Sequence, residues 1–241
     1  MRLDKILANS GFGSRKEVKQ LLKKEHVTVD GKVVKDPAMH VNPMSQEIFV
    51  LGEKLDYKEF IYLMLNKPKG VISATEDLRE KTVIDLLSPI DRHYQPFPVG
   101  RLDKDTVGLL LLTNDGNLAH QLLSPKKHVP KTYYAKIDGI VTEEDILAFK
   151  EGVVLDDGTV TTPGELTILK SGDTSEIELT IYEGKFHQVK RMFEAVNKKV
   201  IFLKRLSMGN LTLDSNLKYG EYRELTEEEI KSIREYVNKK E

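Results

Sequence analysis

At 241 residues, 39% apolar and 31% charged, the chain has the length of roughly one to two globular domains. No stretch approaches the roughly eighteen continuous apolar residues of a membrane span, and the absence of Cys excludes disulfides, thiolate nucleophiles and thiolate metal sites. The formal net charge of −1 argues against a uniformly basic nucleic-acid binder. The charge is nevertheless uneven: residues 1–35 hold nine Lys/Arg against four Asp/Glu, and residues 185–205 hold seven against one. Segregated basic segments suit a directional polyanion-binding face; either one alone reads equally well as a solvated helix face. The start, MRLDKILANSGFGSRKE, lacks the apolar core and cleavage site of a signal peptide, so a cytoplasmic protein is expected.

In chain order, RLDKILAN reads as a short helix with Leu3, Ile6 and Leu7 on one face, broken by Gly11 and Gly13. SRKEVKQLLKK opens a second helix with Ser14 three residues before Glu17, a capping-box signature. HVTVDGKVVKD gives two β-rich arms around Asp30-Gly31, the strongest short hairpin signal. QEIFVLGEKL adds a strand, and the polar GEKLDYKEF reads as a linker. So short a module buries little surface and is expected to be a small appended domain.

Beyond it, strands and helices alternate. FIYLMLN is a strand closed by a turn at Lys67-Pro68-Lys69-Gly70, and KTVIDLLSP a short helix. PFPVG is a short strand, GLLLLTND a buried one, and GNLAHQLLS a helix opened by Asp115. KTYYAKIDG is a strand, TEEDILAFKEG a capped helix, and VVLDDGTVT a second Asp-Gly hairpin. SEIELTIYEG alternates with period two, as a half-buried strand does. HQVKRMFEAVN is a helix, VIFLKRL a strand, and LTEEEIKSIREYV a closing helix with Thr226 and Glu229 as its capping box. Hairpins mixed with helical connections favour an α+β sheet over a regular βαβ winding.

Three places could carry chemistry. In GRLDKDT, Asp103 sits in a Gly-flanked loop ahead of the apolar run, where scaffolded loops concentrate catalytic groups; local sequence alone favours a turn Asp accepting a backbone N–H. Asp105 fits the turn reading. Tyr133, at the start of a strand, is either strand filler or a face for stacking a base. In EGKFHQVKRMF, Val189 and Phe193 are expected to face the core, with Lys190 and Arg191 on other sides and His187 a helix-start hydrogen-bonding residue. No phosphate loop, dinucleotide fingerprint or nucleophile elbow is present, and the six His form no metal-ligand pattern.

Together, MRLDKIL, SRKEV, VTVDGKVV, YLMLNKPKG, GRLDKDTVGLLLLTNDG, KTYYAKI, EGKFHQVKRMF and YGEYRELTEEEI closely resemble the S4-domain-containing ribosomal RNA pseudouridine synthases, in their small-subunit branch. The resemblance spans residues 1–229. It implies an S4-like RNA-binding domain with linker over residues 1–59, then a mixed, largely antiparallel catalytic sheet domain over 60–241. It further implies a monomer that isomerises a uridine of 16S rRNA within a small-subunit assembly intermediate, with no membrane, metal or cofactor. Asp103 matches the family's essential aspartate, Tyr133 the aromatic residue packed on the target base, and Lys190 the cation paired with the aspartate. Lys at 190, where related branches often carry Arg, keeps the charge and loses bidentate geometry. Arg101 matches the motif arginine beside the RNA backbone, and Lys131, Lys185 and Arg191 join it as expected RNA contacts. In the S4-like module, Arg2, Lys5, Ser14, Arg15 and Lys16 stand where that domain meets phosphates. The alternatives are a large-subunit 23S rRNA synthase and a non-catalytic RNA-binding ribosome-assembly factor.

Overall fold

The computed structural model describes residues 1–239, which fall into two compact units. The first comprises Met1–Ile61 with Leu87–Pro96. Its helices are α1 (Leu3–Asn9) and α2 (Arg15–Lys23), its strands β1 (Val27–Val29), β2 (Lys32–Val33), β3 (Ile48–Val50) and β4 (Glu53–Lys54), and a short α3 (Pro89–His93) groups with them. Ser14 caps α2 as its sequence predicts. Its hydroxyl oxygen accepts from the Glu17 N–H at 3.4 Å, and the Glu17 carboxylate accepts from the Ser14 N–H at 2.7 Å.

The β1–β2 turn places Asp30 and Gly31 at φ 49° and 76°, the two left-handed residues of a type I′ hairpin. The antiparallel sheet runs β2-β1-β3-β4. Leu3, Ile6, Leu7, Val18 and Leu22 pack on Val27, Val29, Ile48 and Val50 to form the core. The segment read as a linker is partly structural: Glu53 and Lys54 pair with β3, and Leu55 and Tyr57 pack on this core. A second pair of left-handed residues, Leu51 and Gly52, turns the chain back there.

The second unit comprises Tyr62–Leu86 and residues 97–239. Its strands are β5 (Tyr62–Lys67), β6 (Phe97–Pro98), β7 (Val107–Thr113), β8 (Lys131–Asp138), β9 (Glu165–Lys170), β10 (Thr174–Ile181), β11 (Lys199–Met208), β12 (Leu211–Thr212) and β13 (Tyr222–Glu224). The sheet order is β13-β5-β7-β11-β8-β10-β9, with β12 on β11 and β6 on β7. Only β7–β11 is parallel among these pairings. The helices are α4 (Gly116–Leu123), α5 (Glu143–Glu151), α6 (Gln188–Ala195) and α7 (Glu227–Asn238). Among the described residues no helix is long and apolar enough to cross a membrane.

All seven residues of β7 are buried, as an unbroken apolar run requires. Leu109 and Leu111 join Met64, Leu118, Leu122, Ile233 and Val237 in one core under α4 and α7. Each such side chain contributes about 1.5–3 kcal/mol. On the other half of the sheet, α5 and α6 meet through an edge-to-face contact of Phe149 and Phe193, 4.9 Å apart. Val189 and Phe193 are buried there, as the helical spacing predicts.

Two expectations are modified. KTVIDLLSP forms only a 3-10 turn at Ile84–Leu86, because Thr82 is held extended by its bridge to Ile72 and Pro89 already opens α3. VVLDDGTVT does turn back on itself, but with a single bridge, Val154 to Val160. The short edge strands β9, β12 and β13 were not among the predicted elements.

Gly108 carries the close approach of β7 to β11. Its φ is +102°, and a Cβ there would collide with the Arg205 carbonyl oxygen and lie 2.8 Å from the Arg205 nitrogen. Neither backbone atom can yield without breaking the strand pairing. Gly108→Ala is therefore expected to cost about 3 kcal/mol or more, read as a fall in the urea unfolding midpoint. An unchanged midpoint would refute this packing.

Candidate active site

The loop between β6 and β7 presents Arg101, Asp103 and Asp105, and its backbone is fixed from beneath. The Asp103 carbonyl accepts from the Thr106 N–H at 3.1 Å. Ser73 both donates to the Leu102 carbonyl at 2.9 Å and accepts from the Leu102 N–H at 3.0 Å. Gly70 N–H donates to the Lys104 carbonyl at 2.8 Å.

The central support is Lys67, the last residue of β5, whose side chain is entirely buried. Its ammonium donates to the carbonyls of Asp103 at 3.0 Å, Thr106 at 2.9 Å and Pro68 at 3.2 Å. Burial pushes Lys67 down to about 8, against the pull of the Asp103 and Asp105 charges. The sequence marked Lys67 only as part of a turn. The available signal was a lysine directly after the largely apolar run IYLMLN.

Above the loop stands α6. Lys190 places its ammonium 3.0 Å from Asp103 Oδ2 and 2.7 Å from Asp105 Oδ1. Burial opposes its charge, yet the bonds to both aspartates prevail and raise it above the ordinary lysine value. Asp105 moves the other way: burial would raise it, and Lys190 more than offsets this, leaving it lowered.

His187 precedes α6 in the left-handed region, φ 49°, with no side-chain cap bond. It is not the hydrogen-bonding helix-start residue expected; its Nε2 lies 3.5 Å from Asp103 Oδ1, and its ring stacks on Phe186. Gln188 orders the turn before the helix, accepting from the Lys185 N–H at 2.9 Å and donating to Glu183 at 2.7 Å.

One pocket gathers Arg101, Asp103, Tyr133, Lys185 and His187. Tyr133 enters it from β8, on the buried face it shares with Ala135 and Ile137. Arg101 is exposed, with no ion-pair partner among the described residues. Lys185 pairs with Glu183 at 2.6 Å.

Other expected RNA contacts are engaged elsewhere. Arg191 bonds Asp156 and Asp157, each at 2.6 Å, which leaves its side chain 14% exposed. Lys131 donates to the Val129 carbonyl at 2.9 Å, and burial lowers it to about 8. In the first unit, Arg2 is held by Asp4 at 2.8 Å and Ser14 is occupied by the capping box, whereas Lys5, Arg15 and Lys16 are exposed.

Comparison with known proteins defines the class. Residues 61–195 match the RNA pseudouridylate synthase family, and residues 1–46 match the S4 domain. The chain is 58% identical to the RNA pseudouridine synthase YtzG of Bacillus subtilis, over 98% of this chain and 99% of that protein. It is 43% identical to ribosomal large subunit pseudouridine synthase B of the same organism, over 97% and 95%. It is 40% identical to ribosomal small subunit pseudouridine synthase A of Yersinia pestis, over 97% and 98%. A pseudouridylate synthase crystal structure superposes with a TM-score of 0.68 at 36% identity, covering 97% of this chain and 99% of that one. The molecule is an enzyme in which an S4 domain precedes a mixed α+β synthase domain. The chain belongs to the RNA pseudouridylate synthase family.

Proposed function

We propose that this enzyme isomerises a uridine of 16S rRNA, presented in a small-subunit assembly intermediate, to pseudouridine, with Asp103 as the essential carboxylate. The observation carrying this reading is the Lys190 ammonium 3.0 Å from Asp103, at the edge of a pocket that Tyr133 also lines. The reaction breaks the C1′–N1 bond, turns the base, joins C5 to C1′ and releases the C5 proton while N1 takes one up, so the product is an isomer of the uridine and no group is transferred. A base inside a helix must leave its stack first, at a cost of a few kcal/mol. Tyr133 offsets that cost by packing on the flipped uracil. Lys190 keeps the ionised carboxylate in place, and Arg101 contacts the RNA backbone.

The small-subunit assignment draws on the motif resemblance and on the 40% identity to the Yersinia pestis small-subunit enzyme. A large-subunit target is the second reading, favoured by the 43% identity to the Bacillus subtilis large-subunit enzyme. The test is a pseudouridine map of 16S and 23S transcripts, naked and as subunit precursors, after incubation with wild type and Asp103→Asn. A new site in 16S RNA that is missing with the variant supports the proposal. A site in 23S RNA moves the assignment to the second reading, and no site in either overturns both.

Binding is expected to be strongly salt-dependent. With Lys5, Arg15, Lys16, Arg101 and Lys185 meeting about five phosphates, log Kd against log salt has a slope of roughly 3.5 to 4.5 in magnitude. A flat response in a filter-binding titration would deny these cations a role on RNA.

A further inference from the structure

Beside the Asp103 pocket runs a second groove, lined by Lys69, Asp105, Lys190, Phe202, Leu203 and Tyr219. Lys190 and Leu203 form the wall between the two: Leu203 lines both, and the Lys190 ammonium ties Asp103 on one side to Asp105 on the other. Tyr219 is 53% exposed, an unusual position for an aromatic ring in a loop between two short strands. The Lys204 ammonium stands 5.6 Å from the centre of its ring, and Lys69 is exposed with no ion-pair partner among the described residues. Asp105 is the groove's carboxylate, and it is paired with Lys190, which it shares with Asp103.

The ring is held in place before any ligand arrives. Asn66 accepts from the Gly220 N–H at 2.8 Å through its carbonyl, donates its own N–H to the Glu221 carbonyl at 3.0 Å, and donates its side-chain amide to the Leu217 carbonyl at 2.8 Å. Asn66 adjoins Lys67, whose ammonium holds the Asp103 loop. One turn, NKPKG, thus anchors both the carboxylate loop and the Tyr219 loop and places Lys69 in the second groove.

We infer that this groove is a second nucleotide site: an unpaired base next to the target uridine stacks on Tyr219, and its phosphate lies between Lys69 and Lys204. The occupant follows from the chemistry. An aromatic face flanked by uncompensated cations fits a base with its phosphate. A nucleotide flipped into one pocket also deprives its neighbour of a stacking partner, and the groove lies one side chain away. Stacking of this kind tolerates any base, so it adds grip and registers the strand without reading sequence.

The inference rests on the isomerase reading of the adjoining pocket, and the test separates the two. The full chain is titrated with a fluorescein-labelled twelve-residue oligouridylate, and isomerisation of 16S and 23S transcripts is followed in parallel. Tyr219→Ala is expected to weaken oligouridylate binding about tenfold. It is also expected to raise KM for isomerisation with kcat within about twofold. Tyr219→Phe, which keeps the ring, is expected to restore both, and Lys69→Ala to reduce the salt slope by about one. Unchanged binding in Tyr219→Ala, or equal damage from Phe and Ala, overturns the second site. If Tyr219→Ala loses oligouridylate binding while wild type modifies no transcript, the second site stands and the isomerase reading falls. If Asp103→Asn abolishes modification and Tyr219→Ala alters nothing, the reading stands and the site falls.

Discussion

Asp103→Asn is expected to fold like the wild type and to lose isomerisation by about a thousandfold or more, within the range that a positioned acid or base supplies. The loop is held through the Asp103 carbonyl, which bonds Lys67 and Thr106, and the substitution leaves that backbone untouched. The carboxylate itself is 27% exposed, so an amide of the same shape meets no new buried penalty. Lys190 is not orphaned either, because Asp105 remains 2.7 Å away. Stability should therefore change by less than about 1 kcal/mol, whereas the carboxylate placed in the pocket with Tyr133 disappears. Single-turnover isomerisation measured beside urea unfolding separates the two effects. Turnover near the wild-type level would remove Asp103 from the mechanism, and a large loss of stability would mean that the side chain holds the loop after all.

The sequence made some of this arrangement legible, and the reasons are local. Capping boxes at Ser14–Glu17 and Thr226–Glu229, the Asp-Gly hairpin and the apolar run of β7 each encode their structure within a few residues. At Asp103 the turn is closed by the main-chain carbonyl, which accepts from the Thr106 N–H, while the carboxylate meets Lys190.

Contacts made across long separations left no such trace. Lys67 reaches carbonyls 36 and 39 residues further along, so a charged residue after an apolar strand looked like punctuation. Arg191 stood in a basic segment suited to RNA, but Asp156, 35 residues earlier, holds it. Spacing along α6 could say that Lys190 avoids the core; it could not say which carboxylates it meets. That pairing came from family resemblance, and the fold supplies the geometry. The edge strands β12 and β13 were missed because two or three residues carry too little periodicity to register.

The buried lysine leads to the second large effect. Lys67→Met keeps the length and removes the ammonium, leaving the carbonyls of Thr106 and Pro68 without that donor and the Asp103 carbonyl with the Thr106 N–H alone. Each unsatisfied group costs about 1–3 kcal/mol, so a loss of several kcal/mol is expected near neutral pH, together with a loosened loop. A displacement of Asp103 by about 1 Å is enough to slow the reaction roughly a hundredfold.

The pH dependence identifies the cause. Lys67 sits at about 8 in the folded chain against an ordinary 10.5, so between those values the unfolded chain binds a proton that the folded chain has released. Stability contributed by this group therefore rises with pH from about 8 to 10.5, by at most about 3 kcal/mol. Lys131 is lowered to about 8 as well, and its share of the rise remains in the variant. The gap in unfolding free energy between wild type and Lys67→Met should accordingly widen across that window. A gap that stays constant from pH 7 to pH 10 would mean that burial does not lower Lys67 in the folded chain.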